Sequence, residues 1–163
     1  MTTKHNALLV AGLLAGVIAA GSAWAHGNVV PQAVETKGLT SIKDAGVPVN
    51  EDGWAAVNPY RTSPEHDRAV EIGSSAYNQN CAACYGLEAK SGGIAPDLRM
   101  LDVGEAGDEW FVERVRHGAV RDGRVYMPKM ADYLSQEALW AVRTYLDRSE
   151  ERRVGKECRS RWS

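Results

Sequence analysis

Residues 26–147 contain only two cysteines, Cys81 and Cys84, and this pair restricts the chain more than any other feature. Two thiols separated by two residues at the end of a helical stretch serve as a redox dithiol, as half of a metal site, or as a thioether attachment point for haem. A zinc site needs a second pair of ligands, and downstream of the pair this region offers one histidine, His117. A thioredoxin-like dithiol belongs to alternating strands and helices, whereas the pattern here is helix, loop, helix. A haem needs a soft ligand on the far face of its ring, and Met127, 43 positions after Cys84 and followed by Pro128, is placed to supply one. Met130 is the alternative, and core filling is the structural use for either methionine.

Both ends of the chain read as separate from this region. Residues 1–25 combine a basic start (Lys4, His5), a small apolar run from Ala7 to Gly21 and the small-x-small string Ala23-Trp24-Ala25, the composition of a cleaved secretory signal. The run is too short and too rich in Ala and Gly for a membrane anchor, so the expected destination is outside the cytoplasm, with no membrane attachment after cleavage. Cleavage after Ala25 leaves His26 first, and its α-amine and imidazole form a possible copper chelate. Residues 148–163 differ in kind: six of the sixteen are Arg or Lys, with an isolated Cys158 and Trp162. That string resembles translated sequencing-adapter read-through, and the segment is read as non-native rather than as a basic arm.

Without the two ends the charge balance shifts. Residues 26–147 hold 12 Lys and Arg against 18 Asp and Glu, an acidic domain for which nucleic acid is a poor partner. Residues 26–68 carry Pro31, Pro48, Pro59 and Pro64 with no sustained period, and are expected to form an irregular extension. From Arg68 onward Ala69, Ile72, Ala76 and Tyr77 share one helical face leading to the cysteine pair. A second helix is expected around 108–116. Asp122-Gly123 marks a turn, and a last helix follows Ser135, an N-cap with Glu137 in the first turn. No strand is expected.

In this order Cys81-Ala82-Ala83-Cys84, Ala95-Pro96-Asp97-Leu98, Met127-Pro128 and Leu134-Ser135 leading to Tyr145-Leu146 resemble the class I cytochromes c over residues 69–147. The wording of Ser91-Gly92-Gly93-Ile94-Ala95-Pro96-Asp97-Leu98 and Asp122-Gly123-Arg124-Val125-Tyr126-Met127-Pro128-Lys129-Met130 is similar to the periplasmic PedF-type cytochromes of quinoprotein alcohol dehydrogenase systems. The resemblance implies an all-α fold, with N- and C-terminal helices packed around a haem crevice. It also implies one covalent haem c, with its iron, per chain. Function would be one-electron transfer rather than enzymatic catalysis, between a quinoprotein alcohol dehydrogenase and a cytochrome or terminal oxidase, by a monomer. Cys81 and Cys84 would be the thioether residues, Met127 the distal ligand with Met130 as the alternative, and Pro96 the carbonyl supporting the proximal ligand. Tyr145 would pack the last helix on the first near Gly73 and Tyr77.

Tyr85 departs from that pattern, standing where the family has histidine. A phenolate can ligate ferric haem and lowers its potential, but it is longer than imidazole, and the family's attachment machinery implies a histidine there. A sequence error, a decayed gene and a genuine ligand variant all account for it, since His and Tyr codons differ by one transition. Should haem be absent, the pair is left as a dithiol or disulfide, and the chain is a haem-free protein or an inactive homologue. His117, before Gly118, reads as a surface residue although it is the other available imidazole. Arg114, Arg116, Arg121, Arg124 and Lys129 cluster in sequence near Met127 and form either a docking rim for an acidic partner or an ordinary solvated face.

Overall fold

Positions 69, 72, 73, 76, 77 and 80 recur at helical spacing, and in the computed structural model they are the buried face of α1, His66–Asn80. The structure describes residues 30–160, with side chains to Arg148. The expected signal segment, residues 1–25, lies outside the described residues, as do His26, Trp162 and the side chain of Cys158. After α1 come the short α2 (Ala82–Tyr85), α3 (Glu105–His117), strands β1 (Ala119–Arg121) and β2 (Arg124–Met127), and α4 (Gln136–Ser160). Single 3-10 turns occupy Leu87–Ala89, Leu98–Met100 and Met130–Asp132. Among the described residues, no helix is long and apolar enough to cross a membrane.

The mostly helical fold is as expected, with one correction. Residues 119–127 form an antiparallel hairpin, with Arg121 paired to Arg124, where no strand was foreseen. Asp122 and Gly123 both adopt positive φ, 49° and 72°, the two-residue turn whose twist suits a hairpin. Strands of three and four residues are too short for alternation to register in sequence, although the turn itself was legible. The first helix also begins at His66, two residues before the apolar pattern becomes clear.

Helices α1 and α4 make the central packing. Gly73 lets the two backbones touch, since a Cβ there would lie 1.9 Å from the Ala141 carbonyl oxygen. Tyr77 and Tyr145 pack beside that crossing in a tilted pair, ring centroids 5.5 Å apart and planes at 43°. Gly73→Ala is therefore expected to cost about 3 kcal/mol or more, because the clash is with backbone rather than with a side chain that can turn away. Urea unfolding of the variant checks this. The Ser135 cap is present, with its hydroxyl oxygen accepting from the Ala138 N–H at 3.2 Å.

Two apolar clusters flank this pair of helices. One gathers Tyr77, Leu98, Phe111, Val115, Met130, Leu134, Leu139, Val142 and Leu146. The other joins Ala69, Ile72, Trp140 and Ala141 to Ile42, Ala55 and Tyr60 of the segment preceding α1. That segment is irregular, yet its backbone donors are satisfied by side chains of distant helices. The Ile42 N–H donates to Glu137 at 3.0 Å, the Ala55 N–H to Gln136 at 3.2 Å and the Asn58 N–H to Asp108 at 3.0 Å. Asp108 also accepts from Arg143 Nε at 3.0 Å and from Arg61; Asp108 and Arg143 are fully buried, whereas Arg61 reaches them from a partly exposed position.

A sulfur-lined cleft as candidate haem site

The cleft is made by loops whose shape follows from local sequence. At the end of α1 the Cys81 N–H still donates to the Tyr77 carbonyl at 2.8 Å, so Cys81 continues the helix direction before α2 turns away. The Tyr77 hydroxyl donates to the Gly86 carbonyl at 2.7 Å and ties the end of α2 back to α1. Asp97 accepts from the Arg99 N–H at 3.0 Å, starting the 3-10 turn that buries Leu98. Arg99 holds the Asp97 carboxyl below its ordinary range, chiefly through that side-chain pairing. At the hairpin, Gly118 (φ 69°) permits close approach to Met127, whose carbonyl oxygen would lie 2.4 Å from any Cβ placed there.

These elements bring Cys81, Tyr85, Leu98, Trp110, Phe111, Arg114, Val115, Met127, Met130, Leu139, Val142 and Leu146 around one apolar cavity. Met127 faces Tyr85 directly: the phenol O–H donates to the Met127 Sδ at 3.1 Å. Met130, the alternative ligand, is buried at 5% exposure in the core cluster. Pro96 lines the outer groove with Tyr85, Trp110, Arg114, Arg121 and Tyr126, while the Tyr85 hydroxyl points to Met127. His117 is exposed at the end of α3, 3.5 Å from Glu113. The basic cluster divides, because Arg114 and Arg121 line the groove whereas Arg116 pairs with Asp52 at 2.7 Å and covers Trp54. Sequence reasoning placed Arg114 in a basic cluster near Met127 but missed Trp110 as a cleft residue; their i, i+4 spacing on a helix was the available signal.

Burial dominates the electrostatics. It pushes the Cys81 thiol up to about 12, with Cys84 adding to it. Burial, followed by Cys81, also raises the Tyr85 phenol above its ordinary value, and Arg114 opposes them. Tyr77 is raised in the same way, with burial foremost. A thiol raised in the folded state stabilises the fold below its unfolded pKa and loses that contribution as pH climbs through the folded value. The haem-free protein is thus expected to lose on the order of 4 kcal/mol of stability between pH about 9 and about 12 from Cys81. Urea titrations across that range check it, and thioether formation at Cys81 should abolish the loss.

The wall chemistry suits an apolar macrocycle, with two thiols on one side and a thioether sulfur opposite. Tyr85 suits it less well. Two ligands on opposite faces of a first-row metal ion need about 4 Å between them at about 2 Å each, against 3.1 Å between the phenol oxygen and the Met127 sulfur. Iron fits between them only if α2 or the Met127 loop moves outward.

A helical domain closing an apolar, sulfur-lined cleft beside a Cys-x-x-Cys pair defines a small haem-carrying electron-transfer protein. Residues 68–146 match the family model described as cytochrome c oxidase, cbb3-type, subunit III. The chain is 61% identical to cytochrome c550 of Pseudomonas aeruginosa over 145 residues, covering 88% of this chain and 94% of that protein. It is 35% identical over 78 residues to the quinohemoprotein alcohol dehydrogenase ADH-IIG of Pseudomonas putida, covering 48% of this chain and 10% of the enzyme. No solved structure matches the chain. The chain belongs to the c-type cytochromes, electron-transfer proteins that carry covalently bound haem c.

Proposed function

We propose that this chain is a periplasmic one-electron carrier that accepts electrons from a quinoprotein alcohol dehydrogenase and passes them to a cytochrome or terminal oxidase. The observation that carries the reading is the cleft itself: Cys81 and Tyr85 line an apolar cavity faced by the Met127 sulfur, and Cys84 opens onto the adjoining groove. Cys81 and Cys84 would hold the haem as thioether residues, Met127 would be its distal ligand, and Tyr85 stands where the proximal ligand would be. Pro96 supports that position from the groove, and Met130 packs. When bound, the haem iron supplies exchange of one electron between Fe(II) and Fe(III). Phe111, Val115, Leu139, Val142 and Leu146 keep water from the cleft, and burial is one of the means by which a protein sets the potential. The dehydrogenase as donor is supported by the similarity to quinohemoprotein alcohol dehydrogenases, and the periplasm by the composition of residues 1–25.

The groove mouth suits an acidic partner. Ile94, Val120, Val125 and Tyr126 are exposed there or on the adjacent hairpin, with Arg114 and Arg121 lining the groove and Arg124 in β2. In an acidic domain such a local excess of cations steers association.

The test is a reduced-minus-oxidised absorption spectrum of the purified chain, with acid-acetone extraction to show covalent attachment. Stopped-flow reduction by a quinoprotein dehydrogenase then tests the donor, and its rate is expected to fall as salt rises. No haem band would end the carrier reading for this chain as written; a salt-independent rate would end the steering reading alone.

A further inference from the structure

The segment preceding α1 reaches the cleft at one place. Pro31 lines a cavity of about 60 Å³ together with Asn80, Cys81, Cys84, Tyr85, Met127 and Met130. The adjacent Gln32 N–H donates to Asn80 Oδ1 at 2.7 Å. Asn80, the last residue of α1, is 8% exposed and is itself held by donating Nδ2 to the Ala76 carbonyl at 3.1 Å. Three residues further on, Val34 packs against both apolar clusters. A buried amide at Gln32 and apolar packing at Val34 therefore both fix the chain immediately after Pro31. Proline suits the position just before these anchors, because it presents an apolar ring to the cleft and has no N–H that would need a partner.

We propose that Asn80 is a positioning residue that clamps Pro31–Gln32 over the cysteine edge of the cleft, making the N-terminal extension a wall that limits water there. The covalent link is made at this edge, so the proposal rests on the haem reading for its redox consequence. It rests on geometry alone for the shielding. Water at the edge favours the more highly charged ferric state, so loss of the wall lowers the potential.

Two variants separate shielding from stability. Asn80→Ala removes the acceptor of the Gln32 N–H, and Pro31→Gly removes the ring at a half-buried site where the fold has little to lose. In full-length chain prepared without haem, both are expected to raise the rate of iodoacetamide alkylation of the Cys81–Cys84 pair several-fold under native conditions. The double variant should do no more than the larger single one, because both act through one wall. In haem-loaded protein, Asn80→Ala and Pro31→Gly should lower the midpoint potential. Alkylation rates equal to those of the parent in Pro31→Gly, or in a folded Asn80→Ala, would overturn the wall. A parent chain that carries no haem would instead sink the cofactor reading, with the alkylation result still deciding the shielding.

Discussion

Tyr85→His is expected to convert the chain into a fully loaded cytochrome, with sharp reduced-minus-oxidised bands that survive acid-acetone extraction and far more covalent haem per chain than the parent. The expectation starts from the cleft's dimensions. The Tyr85 oxygen already sits 3.1 Å from the Met127 sulfur, closer than two ligands on opposite faces of an iron can stand, and the shorter imidazole relieves that crowding. The resemblance to class I cytochromes adds that attachment favours histidine after the second cysteine. A phenolate stabilises Fe(III), so where the parent carries any haem its midpoint potential should lie below that of the variant by on the order of 100 mV, within the span that axial ligands command. Pyridine haemochrome quantification and a redox titration read both quantities. Equal loading and equal potentials in the two proteins would show that Tyr85 neither crowds the site nor ligates the iron.

Asp108→Ala should be the most damaging single change to stability, costing about 3–5 kcal/mol, the range for breaking a buried ion pair by removing one partner. Asp108 is fully buried and accepts from Arg143, from Arg61 and from the Asn58 N–H. Its removal leaves the buried Arg143 cation short of a partner, with the partly exposed Arg61 beside it, and also releases the extension from α3. Against a typical total of about 5–15 kcal/mol, such a loss leaves a marginal protein. Asp147 makes a useful contrast: it pairs with Arg61 at 3.1 Å and Arg143 at 3.0 Å, yet burial dominates and holds its carboxyl above the ordinary range, with Arg143 the leading opposition. Its ionised form therefore contributes little net stability, and Asp147→Asn should change the unfolding free energy by only about 1 kcal/mol. Urea denaturation of both variants at neutral pH checks the ordering; equal costs would mean that the carboxylates share the load.

Helical periodicity marked α1, and the Ser135 cap marked α4, because both signals are local. Asp122-Gly123 identified a turn, but the hairpin around it was hidden, since strands of three and four residues leave no measurable alternation. The extension was read as irregular, and among its described residues the structure has a single isolated bridge, Val49 with Ala55. What its sequence could not disclose is that its backbone donors find partners on helices 50 to 95 positions away. Long-range pairing of that kind has no periodic signature.

The cleft divides in the same way. Cys81-Ala82-Ala83-Cys84, Met127-Pro128 and the anomaly at Tyr85 were visible as a string, because covalent attachment and axial ligation demand particular residue types at particular places. The sequence alone thus determined the chemical class and the one position at which this chain departs from it. Only the tertiary structure decided that Met127 rather than Met130 faces Tyr85, that Arg114 and Trp110 join the site while Arg116 leaves it, and that Asn80 brings Pro31 to the cysteine edge. Residue chemistry is carried by the chain itself. Which groups meet depends on how α1, α3, α4 and the extension pack, and packing is set by shape and burial over the whole molecule rather than by any one segment.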